Sequence, residues 1–239
     1  MSSRSRDAVL TDVLASIVGN SVDVADVLAD LVAGCSDDED AGAVALLARS
    51  GGSGGSAGSR IEEGLALLAA TSHNASELEM LQAQHLTGPC VDAMTTHRFV
   101  LAEGDDLVRE YGDVGRAIRD AGFERVEAYP MRWRGETLGG LNVFHHTVGG
   151  EEGHRHAQTY ADLASVVLAQ SGATSAMVGA SLDDALVARS VVEQAKGVLA
   201  YVEDLDMEQA YRLLLRLSHE SERSLTELAE TVVRLRRRP

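Results

Sequence analysis

Apolar residues recur at helical spacing over 6–18 (Val9, Leu10, Val13, Leu14, Ile17) and again over 21–33 (Val24, Val27, Leu28, Leu31). This predicts two short amphipathic helices, with Asn20-Ser21 between them as a cap. The stretch CSDDED (35–40) reads as a solvated turn. Compact apolar runs at 41–50 and 65–71 suit buried strands, and SGGSGGSAGSR between them is a flexible hairpin-tip connector. A helix is expected over 75–86, then a turn at 87–90, a short strand at 97–103, and an amphipathic helix over 107–123. In that helix Leu107, Val108, Val114, Ile118 and Phe123 share one side. Residues 125–146 alternate through Val126, Ala128 and Pro130, turn at Arg-Gly-Glu, and resume through Leu138, Leu141 and Val143. That is a strand, a tight turn and a strand. Gly139-Gly140 marks a bulge or a close backbone approach, and 157–170 returns to helix.

From about Ser171 to Arg238 no strand pattern occurs. Met177, Val178, Leu182, Leu186, Val191, Val192, Val198 and Leu199 extend one long helical stripe. Shorter helices follow near 206–219 and 224–236, with Asp206 and Ser224 as N-caps. Ser224 with Glu227 fits a capping box. The fold class read from the pattern is α+β, an antiparallel sheet flanked by helices, followed by an all-α three-helix unit.

Composition sharpens this only in places. With 239 residues, 45% of them hydrophobic, the chain can build one medium domain and a smaller one. The net charge of −16 argues against non-specific binding to nucleic acid or an anionic membrane. The charge is uneven: residues 1–180 hold 12 arginines against 26 acids, while 181–239 hold 9 basic residues against 11 acids and end in RLRRRP. Contact with a polyanion is therefore expected near the C-terminus. Two distant cysteines, Cys35 and Cys90, fit no metal or redox spacing and read as reduced thiols. The first 19 residues lack a signal-peptide core, and no apolar run approaches about 20 residues, so a cytoplasmic protein is expected.

No set of residues assembles a catalytic site. The pairs His145-His146 and His154-x-His156 flank a polar VGGEEG stretch and read as exposed loop histidines rather than metal ligands. The acidic run at 37–40 lacks the features of a calcium loop. The glycine run at 50–60 has neither a dinucleotide fingerprint nor the lysine of a phosphate loop. Cys90 follows a Gly-Pro turn with no identifiable base. The expectation is no enzyme, no metal and no cofactor.

Lys196, the only lysine of the chain, sits in VVEQAKGVLA (191–200) just before Gly197. Three readings are open from the residues: an ion pair with Glu193 three positions back (or with Glu220 or Glu222), a reactive amine of lowered pKa, or a phosphate contact.

The segment 182–233 resembles the ANTAR domain, an RNA-binding module of bacterial transcription antiterminators. Arg189, Val191, Val192, Gln194, Ala195, Lys196, Gly197 and Leu199 form the matching core. Glu208, Ala210, Tyr211, Leu214, Ser218, Leu225, Leu228 and Ala229 continue it. The preceding region resembles a GAF domain of the kind joined to ANTAR in actinobacterial regulators. Leu81-Gln82, Gly88 to Ala93, Ala128 to Met131 and Leu138 to Phe144 carry that likeness. The implied organisation is a GAF-like sensor over 1–172, a connecting helix over 173–181 and an ANTAR domain over 182–239.

The resemblance implies an antitermination regulator whose helical bundle binds tandem hairpin loops in leader RNA. A GAF domain would sense a signal, with an unknown small-molecule ligand in its pocket, or support a homodimer. Carried over residue by residue, the RNA-binding candidates are Arg189, Gln194 and Lys196, with Arg212, Arg216 and Arg223 retained nearby. Ala195 and Gly197 match small positions that let helices pack closely; Tyr211 matches an aromatic or apolar position, core or stacking surface, and Ala210, Leu213 and Leu214 around it in helical order favour the core. This leaves little case for a reactive amine at Lys196. Leu215, Ser224 and Thr226 stand where relatives commonly carry basic residues, and 193–230 holds 4 basic residues against 9 acidic. A ligand-sensing or scaffolding protein whose bundle binds protein rather than RNA is the alternative.

Overall fold

The structure, a computed structural model, describes residues 11, 13–15, 24–49, 64–149, 154–170, 175–221 and 223–236. Of the helix expected over 6–18, the described residues 11 and 13–15 are helical, and Val13 is buried. The Asn20-Ser21 cap and the glycine-rich connector lie outside the described residues.

Helix α1 (Val24–Asp38) buries Val24, Val27, Leu28, Leu31, Val32 and Cys35. The turn expected over 35–40 therefore begins later. Cys35 continues the stripe of Leu28, Leu31 and Val32, its thiol is fully buried, and the helix runs on through Asp38.

Strands β1 (Ala43–Arg49), β2 (Leu65–Ala70), β3 (Val100–Glu103), β4 (Arg125–Trp133) and β5 (Glu136–His145) form one antiparallel sheet in the order β2-β1-β5-β4-β3. Alternation assigns side chains to two helical layers. Val44, Leu46, Ala48, Tyr129, Met131, Leu141 and Val143 pack with α1 and with α5 (His154–Gln170). Ala43, Ala45, Leu47, Val126 and Phe144 pack with α2 (His73–His85), α3 (Pro89–Thr96) and α4 (Asp105–Asp120). A sheet covered on both faces needs apolar residues in both phases, which is why 41–50 and 65–71 read as unbroken apolar runs.

Three further expectations change. Residues 89–96, read as the end of a turn and beyond, form α3: Gly88 holds φ 133 and Pro89 takes the first helical position, where its missing N–H costs nothing. The helix expected over 107–123 is kinked, because Gly112 at φ 57 breaks α4 into two segments. The histidine pairs are not all loop residues. His145 is the last residue of β5 and half-buried, residues 154–156 open α5, and His146 stacks on Phe123 with ring centroids 4.9 Å apart.

The β4–β5 connection is a two-residue turn with both central residues left-handed, Arg134 at φ 51 and Gly135 at φ 90, matching the twist of an antiparallel pair. Beyond it the register shifts, with Met131 opposite Gly139 and Arg132 opposite Thr137. A Cβ on Gly139 would lie 2.2 Å from the Leu47 carbonyl oxygen and 3.0 Å from the Ala48 Cα, so the glycine lets β1 and β5 approach. Backbone atoms cannot yield as a side chain can. Gly139→Ala is expected to cost about 2–3 kcal/mol, seen as a lower urea midpoint at unchanged slope; an unaltered midpoint would refute the close-approach account.

The C-terminal unit is α6 (Ser175–Val202), α7 (Met207–Ser221) and α8 (Leu225–Arg236). Of the connecting segment expected over 173–181, the described residues 175–181 form the first turns of α6, which continues unbroken through Val202. The bundle core is Val192, Ala195, Leu199, Ala210, Tyr211, Leu214 and Ala229. Both expected N-caps are present. Asp206 Oδ1 accepts from Gln209 N at 2.7 Å while Gln209 Oε1 accepts from Asp206 N at 3.1 Å, and Ser224 Oγ accepts from Glu227 N at 3.1 Å. Gly197 departs from its expected close-packing role: it is exposed, and a Cβ there would meet nothing within 4 Å. Ala195 is the buried small residue.

Candidate nucleic-acid interface

The six basic and polar candidates of the C-terminal unit fall into two groups. Arg212, Arg216 and Arg223 are exposed. Arg212 and Arg216 stand four residues apart on one face of α7, and Arg223 lies in the turn to α8. Arg212 is held only loosely, its Nε 3.8 Å from Glu208 Oε1 with two thirds of the side chain in solvent. Arg223 Nη2 donates to Thr231 Oγ1 at 2.9 Å and to the Glu227 carbonyl at 3.3 Å. Gln194 is also exposed, bonding Ser190 Oγ at 3.4 Å.

Lys196 and Arg189 face inward. Lys196 is fully buried. Its Nζ donates to Glu193 Oε2 at 2.8 Å and Oε1 at 3.0 Å, reaches His73 Nδ1 at 3.1 Å, and stands 5.0 Å above the Tyr211 ring centroid. An ammonium only donates, so Nδ1 is the unprotonated nitrogen of His73 and Nε2 carries the proton, 3.3 Å from Glu77 Oε1. Of the readings left open by the sequence, the Glu193 pair is the one this conformation contains, and Glu222 lies outside the described residues. Arg189, with 16% of its side chain exposed, places Nη2 3.4 Å from Glu193 Oε1. Burial lowers the Arg189 pKa, an effect Glu193 opposes.

These inward groups meet the corner where β2 passes into α2. Tyr211 donates its hydroxyl to the Ala70 carbonyl at 2.7 Å, and Glu208 Oε2 accepts from the His73 and Asn74 amides at 2.8 and 3.4 Å. Nothing in the sequence pattern indicated these contacts, which join residues 134 to 141 positions apart. A cavity of about 40 Å³, with Ala29, Leu68, Arg189, Val192, Tyr211 and Leu225 among its walls, lies along the same seam. That is room for about one water, far below the roughly 300 Å³ of a small-molecule site.

Inside the α+β unit, Glu79 and Gln82 of α2 meet Asn142 of β5 and Cys90 of α3, all buried. Gln82 Nε2 and Asn142 Nδ2 both donate to Glu79 Oε1, and the Cys90 amide donates to Gln82 Oε1 at 3.0 Å. Glu79 Oε2 and Asn142 Oδ1 have no hydrogen-bond partner. Burial pushes the Glu79 carboxyl up to about 7 against the pull of its hydrogen bonds. Burial, then the Glu79 carboxylate, raises the Cys90 thiol well above its ordinary value, so it is a packed thiol rather than a nucleophile. Among the described residues no group of three or more His, Cys, Asp or Glu is placed to hold a metal ion, and no helix is long and apolar enough to cross a membrane.

Residues 180–233 match the ANTAR domain. The α+β unit is similar to the GAF domain of a phosphoenolpyruvate-protein phosphotransferase from Acinetobacter, with TM-score 0.51 at 16% identity, over 69% of this chain and 93% of that one. It is likewise similar to the corresponding GAF domain from Coxiella burnetii, with TM-score 0.50 at 15% identity, over 70% and 95% of the two chains. Residues 180–233 are thus an ANTAR domain, and the α+β unit before it has the GAF fold. No curated protein matches the chain. Lys196, Arg189, Glu208 and Tyr211 are ANTAR residues turned toward the GAF-like unit, whereas Gln194, Arg212, Arg216 and Arg223 are ANTAR residues turned toward solvent.

Proposed function

We propose that this protein is an RNA-binding transcription antitermination regulator of the cytoplasm. In this reading the GAF domain senses a signal or dimerises, and the ANTAR domain of each protomer in a homodimer binds one of two tandem hairpin loops in a leader RNA. The observation that carries the reading is the ANTAR match over 180–233 together with the exposed arginines on and after α7. Hairpin loops present unstacked bases and phosphates, which suit guanidinium groups on a helix surface with a polar amide such as Gln194 nearby. GAF and ANTAR are regulatory rather than catalytic domains.

The test is a titration of the full chain against an RNA carrying two tandem stem-loops, at several salt concentrations. Each phosphate contact contributes about −0.7 to the slope of log affinity against log salt on single-stranded RNA. Removing Arg212, Arg216 and Arg223 together is expected to flatten the slope by about 2 and weaken binding across sequences alike. Absence of binding at low salt by an intact dimer would overturn the reading. It would favour instead a ligand-sensing or scaffolding protein, which the excess of acids across 193–230 and the exposed Tyr201 and Val202 at the end of α6 support.

A further inference from the structure

We infer that the β2–α2 corner of the GAF domain is an autoinhibitory clamp: it holds the inner face of the ANTAR domain shut and keeps Lys196 and Arg189 from RNA. The inference rests on the RNA-binding reading and adds its regulation. Three polar contacts from the ANTAR domain converge on residues 70–74. Tyr211 bonds the Ala70 carbonyl, Glu208 bonds the His73 and Asn74 amides, and Lys196 reaches the His73 ring.

The chemistry of each contact suits a closed state. A helix begins with amides that have no partner within the helix, and its N-terminus favours an anion. In α2 the Ser72 hydroxyl satisfies the Ala75 amide at 3.1 Å, and the Glu208 carboxylate, supplied by the other domain, satisfies the first two. Lys196 has three N–H donors, and three acceptors surround it: both Glu193 oxygens and His73 Nδ1. No donor is left for a phosphate. One of those acceptors comes from the GAF domain, so lifting the ANTAR domain away frees a donor and returns the ammonium toward solvent. Arg189 follows the same course, because its guanidinium lies against α2, with Nη2 4.0 Å from Met80 Sδ.

The seam is also built to part. Polar contacts run through it, Thr226 Oγ1 also donating to Asp26 Oδ1 of α1, while Leu186 supplies an apolar contact to the core of the GAF domain and a cavity of about 40 Å³ interrupts the packing. Contacts of this kind resemble transient interfaces more than a shared core. Helix α2 joins the clamp to the GAF interior: its first turn carries the His73 and Asn74 amides, and its next two turns carry Glu79 and Gln82, bound to Asn142 and Cys90. A change that shifts α2 against β5 therefore moves the acceptor of Lys196 and the amides held by Glu208 together. That is the two-state element a sensor needs.

The test uses the full chain carrying Glu208→Ala with Tyr211→Phe, which removes two clamp contacts and leaves every RNA-binding candidate in place. Amide hydrogen exchange at His73 and Asn74 reports opening, and affinity for the two-stem-loop RNA reports access. Exchange is expected to rise at least about 10-fold and affinity to tighten by a similar factor, with Lys196→Ala in the same background removing the gain. Faster exchange with RNA bound equally by the variant and the natural chain would overturn the clamp and leave the RNA reading standing. Faster exchange with no RNA bound by either would overturn that reading, and the inference with it. Unchanged exchange would show that the corner does not hold the domains together. Should the double variant not fold, Glu208→Leu, which keeps most of the side-chain volume and has no acceptor oxygen, is read in the same way.

Discussion

Glu127→Leu is expected to lower folding stability by about 3–5 kcal/mol, the largest effect of any single side-chain change considered. Arg125, Glu127 and Tyr129 alternate on β4 and so share one face of the sheet. The Arg125 and Glu127 side chains are only 6% and 4% exposed. Glu127 accepts from Arg125 Nη2 through one oxygen and from the Tyr129 hydroxyl through the other. Arg125 otherwise donates to the Gly149 carbonyl, and its Nε has no hydrogen-bond partner. Leucine would leave the guanidinium buried without its counter-charge, and an uncompensated buried charge is among the costliest defects in a core. Arg125→Met together with Glu127→Leu should recover most of the loss, because the desolvation cost leaves with the charges. Urea unfolding of the two variants decides the matter. A loss under about 1 kcal/mol in the single variant would mean that the pair behaves like a surface ion pair.

The second large effect is a pH dependence set by Glu79. Its carboxyl titrates near 4.5 when exposed and is raised to about 7 in the fold, chiefly by burial. Between these values the folded chain holds a proton that the unfolded chain has released. Stability is therefore highest below about 4.5 as far as this group is concerned, falls as pH rises through 7, and is flat above. The full swing is about 3 kcal/mol at 1.36 kcal/mol per pKa unit. Glu39, raised by its own burial, acts with the same sign. Glu79→Gln removes the ionisable group, keeps an oxygen for Gln82 and Asn142, and places an amide donor where Oε2 lacked a partner. At pH 8 the variant should exceed the natural chain by about 2–3 kcal/mol, with the two converging near pH 5. Urea midpoints at both pH values check this; a natural chain whose stability is flat from pH 5 to 8 would sink it.

Much of the fold was legible in the chain. The apolar runs at 41–50 and 65–71 and the alternation over 125–146 became β1, β2, β4 and β5, because a sheet covered on both faces puts apolar residues in both phases of β1 and β2 and leaves an alternation legible along β4 and β5. Asp206 and Ser224 announced two helix starts, since a cap works through its own side chain. The misreadings have local causes. Acidic residues at 37–38 hid the last turn of α1 behind their charge, though Cys35 continued the buried stripe. The Gly-Pro pair at 88–89 looked like a turn and was a helix start. Gly112 was masked by the amphipathic pattern on either side of it, because periodicity reports faces and not a left-handed φ.

The candidate site divided along the same line. That Arg189, Gln194, Lys196, Arg212, Arg216 and Arg223 belong to one helical unit followed from residues close in sequence, and the i,i+3 spacing of Glu193 and Lys196 already held their pairing. Which of them meet solvent did not follow. Lys196 and Arg189 are covered because β2 and α2, more than 100 residues earlier, supply a histidine ring, two amides and a carbonyl. Periodicity records only that a helix has an inner face, whereas what lies on that face depends on which domain docks there. The sequence by itself determined the elements, their caps and the membership of the C-terminal unit, since those are written in neighbouring side chains. Only the tertiary structure decided that the single lysine is enclosed and three arginines are not, because enclosure is a property of segments brought together by folding.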